Sequence, residues 1–236
     1  MRVLAGTSGY AYKEWKGSFY PEDLKNDGML AFYAQHFRTV EINNTFYRLP
    51  SKKVLQQWDD QVTDDFAFVL KASQRITHHK RLKNADEPLE YLLENAQVLG
   101  QRLGPILFQL PPNMKKDLER LQDFLRLLPE GTEAAFEFRH LSWFEEDVYA
   151  ALRTHGKALC VADTEDGTPE MVATAPYGYL RMRREQYDDA ELRSWAEWVQ
   201  SQNWDRAFVF FKHEDEGAGP ALAKRFLMLT ESGPTS

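Results

Sequence analysis

Hydrophobic positions along this chain recur with two periods. Short apolar runs bounded by Gly, Pro, Asn or Asp read as strands. Longer stretches with apolar residues three and four apart read as amphipathic helices. Residues 2–6 (RVLAG) open as a strand. A helical stretch at 29–37 leads into a strand at 39–43 (TVEIN). Residues 51–60 read as helix, with Ser51 placed to cap it. The strand at 66–73 (FAFVLKAS) precedes a helix at 87–99, whose stripe is Leu89, Leu92, Leu93, Ala96 and Leu99. The strand at 105–110 (PILFQL) stops at Pro111 and Pro112, because neither proline can donate to a ladder. A helix at 115–128 carries Leu118, Leu121, Leu125 and Leu128 on one face. Strand 133–140 and helix 144–155 follow, then strands at 157–163 and 177–183 with no helical period between them. Helix 189–201, strand 207–213 and helix 220–229 complete the series, and 229–236 reads as a frayed tail.

Eight strands, mostly alternating with helices, predict an α/β fold with parallel strands and right-handed crossovers. The length fits a single domain over 1–236, a (β/α)8 TIM-like barrel with a degenerate helix after the sixth strand. An open doubly wound sheet is the competitor. The segment GTSGY after the first strand lacks the GxGxxG spacing of a dinucleotide-binding turn.

Side chains on a strand alternate between two faces, and in a barrel one face lines the interior. Where the bulky apolar set is assigned outward, the other set is inward. That places Glu41 and Asn43 inside on the second strand, and Lys71 and Ser73 on the third. Gln109 lies inside on the fourth, Glu137 and Arg139 on the fifth, Arg181 on the seventh and Lys212 on the eighth. On the sixth strand Leu159, Val161 and Asp163 share a face. Asp163 is read as its inward polar end, with Cys160 outward as an inert core thiol. Seven strands thus end in a polar inward residue on the side where barrel enzymes place their chemistry.

Composition narrows the function classes. The formal net charge is −7, which disfavours nucleic acid and anionic membrane as general partners. A single cysteine forms no intrachain disulfide, which fits a reducing cytoplasm, and no apolar run is long enough to span a bilayer. No HExxH, paired-Cys or DxD motif marks a metal, and no cofactor is expected. A divalent cation could reach Glu41, Glu137, Asp163 and His140 only through the fold, and His140 alternates to the outer face. His78 and His79 are adjacent, so on a strand they would point apart.

The expected chemistry follows from the charges. Carboxylates among cations can divide into acid and base roles. Glu137 suits a base or nucleophile, held ionised by Arg139, with Glu41 or Asp163 as its partner. Lys71 among cations suits a base or an imine-forming amine, or else a salt-bridge partner of Glu137 or Asp163. Arg139 and Arg181 suit bidentate binding of carboxylate or phosphate. The alternative use of the same charges is a structural ion-pair plug. The aromatic first loop, with Tyr10, Tyr12, Trp15, Phe19 and Tyr20, suits a self-packed lid or a stacking platform.

The stretches GTSGYAYKEWKGSFYP, VEINNTFYRLP, FVLKASQRITH, LFQLPP, FEFRHLSW and the late VAD resemble the YecE-like family, a domain family of unknown function described as TIM-barrel proteins. The resemblance covers nearly the whole chain and supports the barrel. It implies family positions at Ser8, Glu41, Asn43, Tyr47, Lys71, His78, Gln109, Glu137, Arg139, His140 and Asp163, without an assigned activity. The chain departs from the family pattern at LRMRREQY and FFKHEDE, which leaves the roles of Arg183, Arg184, Lys212 and His213 open.

The expectation is an enzyme that hydrolyses a small anionic, phosphorylated or nucleotide-like substrate. Glu137, Glu41, Asp163 and Lys71 would be catalytic. Ser8, Tyr10, Asn43, Tyr47, His78, Gln109, Arg139, His140, Arg181 and Lys212 would bind substrate. A sugar-processing barrel of glycosidase or isomerase type is one alternative, and a non-catalytic ligand- or nucleic-acid-binding protein is another. Carboxylates across an open cleft would favour glycoside chemistry, and carboxylates against arginines would favour anion binding or the plug.

Overall fold

The computed structural model describes residues 1–167, 170–212 and 217–231. All eight expected strands form: β1 (Arg2–Thr7), β2 (Thr39–Ile42), β3 (Ala67–Leu70), β4 (Ile106–Gln109), β5 (Ala134–Glu137), β6 (Ala158–Asp163), β7 (Tyr177–Met182) and β8 (Arg206–Phe211). The helices are α1 (Met29–His36), α2 (Lys52–Asp59), α3 (Asp86–Ala96), α4 (Leu118–Leu127), α5 (Glu146–Thr154), α6 (Asp189–Ser201) and α7 (Ala218–Glu231). Among the described residues no helix lies between β6 and β7.

Four boundaries differ from expectation. Helix α4 starts three residues late because the Asp117 side chain accepts from the Arg120 backbone N–H and caps the helix there. Helix α3 gives way to a 3-10 turn, Gln97–Arg102, in which Gly100 takes φ 50°. The third strand stops at Leu70, and Arg75–His79 winds into a π-helical turn, so His78 and His79 do not sit on a strand. Helix α7 runs two residues into the expected tail, to Glu231. Residues 213–216 of the loop before α7, and the rest of the tail, lie outside the described residues.

Every strand pair is parallel. The hydrogen-bonded order is β1-β8-β7-β6-β5-β4 in one sheet and β2-β3 in another. Isolated bridges join the two sheets at both sides: Ser8 to Glu41 between β1 and β2, and Lys71 to Leu107 between β3 and β4. An uninterrupted eight-stranded ladder is therefore not present. At the first seam Gly6 is required sterically, because a Cβ there would lie 2.2 Å from the Thr39 carbonyl oxygen.

The core divides by strand face. One set of strand side chains packs on the helices in two large clusters. The other set packs on itself: Leu4, Val69, Leu107, Ala135, Cys160, Tyr179, Phe208 and Phe210 are among its members. Cys160 belongs to this inner set, which corrects its expected outward placement. The reason is size. On β6 the bulky Leu159 and Val161 face the helices, and the small Ala158 and Cys160 leave room for larger side chains from β7 and β8.

Candidate functional site

At the C-terminal ends of the strands the inner face turns from apolar to charged. Arg181, two residues beyond the inner Tyr179 on β7, is 1% exposed and is the hub. One of its terminal nitrogens donates to Glu137 Oε2 at 2.6 Å, and the other donates to Glu41 Oε1 at 2.8 Å. A single guanidinium fork thus bridges carboxylates from β5 and β2. Glu41 Oε1 also accepts from Ser8 Oγ at 2.8 Å and from Asn43 Nδ2 at 3.1 Å. The Tyr179 hydroxyl donates to Glu41 Oε2 at 2.6 Å. On the other side Gln109 Nε2 donates to Glu137 Oε1 at 2.7 Å, while its Oε1 accepts from Lys71 Nζ at 2.7 Å. The chain Lys71–Gln109–Glu137–Arg181–Glu41–Tyr179 draws on five different strands or their ends.

These contacts fix the charges. Burial alone would raise the pKa of Glu41, but the Arg181 charge and the hydrogen bonds from Tyr179, Arg181 and Ser8 offset it and bring it down to about 2. Glu137 follows the same balance: burial pushes it up, Arg181 and then Arg183 pull it below its ordinary value. Burial is the largest influence on Lys71 and lowers it to about 8. Arg181 and Arg183 add to that shift, and Glu137 and Glu41 oppose it. Burial also lowers His78, aided by Lys71, and the His78 Nδ1 lies 2.9 Å from Thr77 Oγ1. Lys71 Nζ stands 4.4 Å over the Phe46 ring, which His78 and Tyr47 also contact edge-on.

Several expected site residues stand elsewhere. Asp163 shares the helix-facing side of β6 with Leu159 and Val161 and accepts from Arg184 Nε at 2.9 Å. It takes no part in the Glu41–Glu137 network. His140 uses Nδ1 to accept from the Ser142 backbone N–H at 3.1 Å, capping the turn Leu141–Trp143. Glu41, Glu137, Asp163 and His140 therefore do not converge on a cation position. No group of three metal-ligating side chains occurs among the described residues. Arg139 is exposed and reaches Glu137 only at 3.9 Å, so Arg181 rather than Arg139 holds Glu137 ionised. Tyr47 is 73% exposed at the rim, and Lys212 is exposed after β8.

Tyr10 packs against Tyr33 of α1 and lines a pocket of about 350 Å³ with Tyr12, Asn43, Asn44, Arg48 and Trp58. The rest of the aromatic loop packs on itself, Trp15 against Tyr12, Phe19 and Tyr20. A second pocket, about 430 Å³ between Leu82–Asp86 and α4, is lined by none of the network residues.

Two members were missed from the sequence. Tyr179 and Arg183 have the same parity on β7 as Arg181, so the period-two rule that found Arg181 also marks them. Arg183 is half-buried and makes no ion pair or side-chain hydrogen bond among the described residues. Its pKa is lowered by burial and by Arg181, while Glu137 and Glu41 oppose the shift.

The family model described as a protein of unknown function, DUF72, matches residues 4–235. The chain belongs to this family. Two relatives are the UPF0759 proteins YecE of Escherichia coli, 36% identical over 48% of this chain and 42% of that protein, and YunF of Bacillus subtilis, 27% identical over 66% and 57%. The chain spans about half the length of these relatives. A crystal structure of a DUF72 protein from Thermotoga maritima is 30% identical, superposes with a TM-score of 0.87, and covers 98% of this chain and 100% of that one. A β-mannanase from the blue mussel, 9% identical with a TM-score of 0.50, covers 96% of this chain and 91% of that one and shares the fold alone. None of the DUF72 descriptions assigns an activity.

Proposed function

We propose that this protein is an enzyme that binds a small anionic compound, phosphorylated or nucleotide-like, at the charged ends of its strands. One observation carries the reading. Two carboxylates, already joined by Arg181, face three further cations: Arg183, Arg139 and Lys71. A structural plug would balance its charges, because a buried charge without a partner is costly. A surplus of cations, Arg183 and Lys71 half-buried and Arg139 exposed, stabilises an incoming anion instead.

Carboxylate acid–base hydrolysis finds less support than the anion site itself. Arg181 holds both Glu41 and Glu137 ionised, so neither is poised as the acid. Glu41, with four donors around it, is a positioning residue for Arg181. Lys71 is the group of the network that titrates nearest neutrality, which suits it for proton transfer. A paired-carboxylate glycosidase is disfavoured for the same reason: the carboxylates meet an arginine, not an open cleft. In this reading the chain is one domain and the strands close as a (β/α)8 barrel. The Ser8–Glu41 and Lys71–Leu107 bridges support closure at both seams.

Thermal melting against inorganic phosphate, sugar phosphates, nucleotides and their neutral counterparts tests the proposal. An anion that raises the wild-type Tm by several degrees should raise that of Arg183→Ala much less. Equal shifts in both proteins, or no response to any anion, would overturn it.

A further inference from the structure

Lys71 is the lysine of the charged network at the strand ends. Its Nζ is held by one neutral acceptor, Gln109 Oε1 at 2.7 Å, and lies 4.4 Å over the Phe46 ring. No carboxylate pairs with it among the described residues. Gln109 is itself fixed by Glu137, so the amine is aimed by a rigid relay from β4 and β5. The charged groups around it come from every neighbouring element: Glu41 on β2, Glu137 on β5, Arg181 and Arg183 on β7, and His78 in the turn after β3. Two arginines offset the two carboxylates there, and the apolar ring covers one side. Such surroundings keep part of the amine neutral and nucleophilic. With a pKa of about 8, on the order of a tenth of it is unprotonated at neutral pH.

We infer that Lys71 is a nucleophile that forms an imine with a small anionic aldehyde or ketone, the anion being held by Arg183 and Arg139. The inference rests on the anion-site reading above and names the substrate class of that site. The neutral amine adds its lone pair to the carbonyl carbon, and the carbonyl oxygen takes up one proton lost from the nitrogen and a second from solvent. Loss of that oxygen as water leaves a protonated C=N bond. Water adding back to the imine carbon regenerates the amine and the carbonyl compound. Gln109 fits this cycle better than a carboxylate would. It positions Nζ through a neutral oxygen and stabilises the ammonium form less than a carboxylate would.

Trapping with sodium borohydride tests this, first on the wild-type chain. The probe is pyridoxal 5′-phosphate, an anionic aldehyde, and butanal is its neutral counterpart. Hydride from borohydride reduces the C=N bond to a stable secondary amine that peptide mass spectrometry locates. The expected result is labelling of Lys71 at least tenfold faster than of the exposed Lys13, Lys25 and Lys52. The labelling rate should be half-maximal near pH 8, and inorganic phosphate should protect. Arg183→Ala should lose most of the preference for the phosphorylated aldehyde while keeping its reaction with butanal. Labelling spread evenly over exposed lysines, with Lys71 unmodified, would overturn the inference. If Lys71 stays unlabelled while phosphate still raises the Tm, the anion site stands and the imine falls. If Lys71 takes butanal as fast as pyridoxal phosphate and phosphate gives no protection, the anionic substrate class falls, and the anion site with it.

Discussion

Arg181 carries more of this molecule than any other side chain. It is the counter-ion of two buried carboxylates, and removing it strands both. Loss of one partner from a buried ionic network costs about 3–5 kcal/mol. Arg181→Met should therefore lower the unfolding free energy measured in urea by that order or prevent folding. Adding Glu41→Gln and Glu137→Gln should recover part of the loss, because the neutral triple variant has no uncompensated charge. Glu41 sets a pH dependence of known sign. Its folded pKa is about 2, below its ordinary value, so the unfolded chain binds more protons between about pH 2 and 4.5. Its stabilisation is present above that window and is lost as pH falls through it. Chemical denaturation from pH 6 to 2 should show this slope in the wild type, and a shallower one in Glu41→Gln. Lys71 gives a slope of the same sign in a different window. Its folded pKa is depressed, so its contribution becomes more favourable as pH rises from about 8 toward 10.5.

At the scale of elements, Asp163 is a fastener. It holds Arg184, whose Nη1 donates to Glu191 Oε1 at 2.8 Å. Glu191 in turn closes the capping box of α6 with Asp188. The end of β6, the loop after β7 and the start of α6 are thus tied by one relay. Asp188→Ala should cost about 1 kcal/mol. Asp163→Ala should lower the Tm and leave the shift given by bound phosphate unchanged, which would separate this relay from the anion site. The sequence made the strands legible because each carries a bulky apolar set on one parity, and Glu41, Gln109, Glu137 and Arg181 followed from that rule. Asp163 was misplaced because its parity matches Leu159 and Val161, which face the helices. Arg139 was misplaced because β5 ends at Glu137, so strand alternation no longer governs two residues later. His140 looked like a site residue because nothing local reveals that its ring caps a turn.

At the scale of the whole molecule, the seams are the weak lines. Six strands share continuous ladders, and β2 with β3 meets them through isolated bridges. Amides of β2 and β3 should exchange with deuterium faster than those of β7 and β8, since fewer ladder bonds must open to release them. Gly6→Ala should widen the β1–β2 seam and accelerate exchange in β2 selectively, because its Cβ has no space beside Thr39. The seam is also where the network crosses. Glu41 leaves β2 to meet Arg181, 140 positions later in the chain, while Glu137 lies only 44 positions before it. That arrangement has a consequence for descent. A change at any one of these three positions leaves a charge without its mate, so single steps away from the trio are selected against. Lineages of this fold should keep all three residues or exchange them together, and the trio should be inherited as one character although three separate strands encode it.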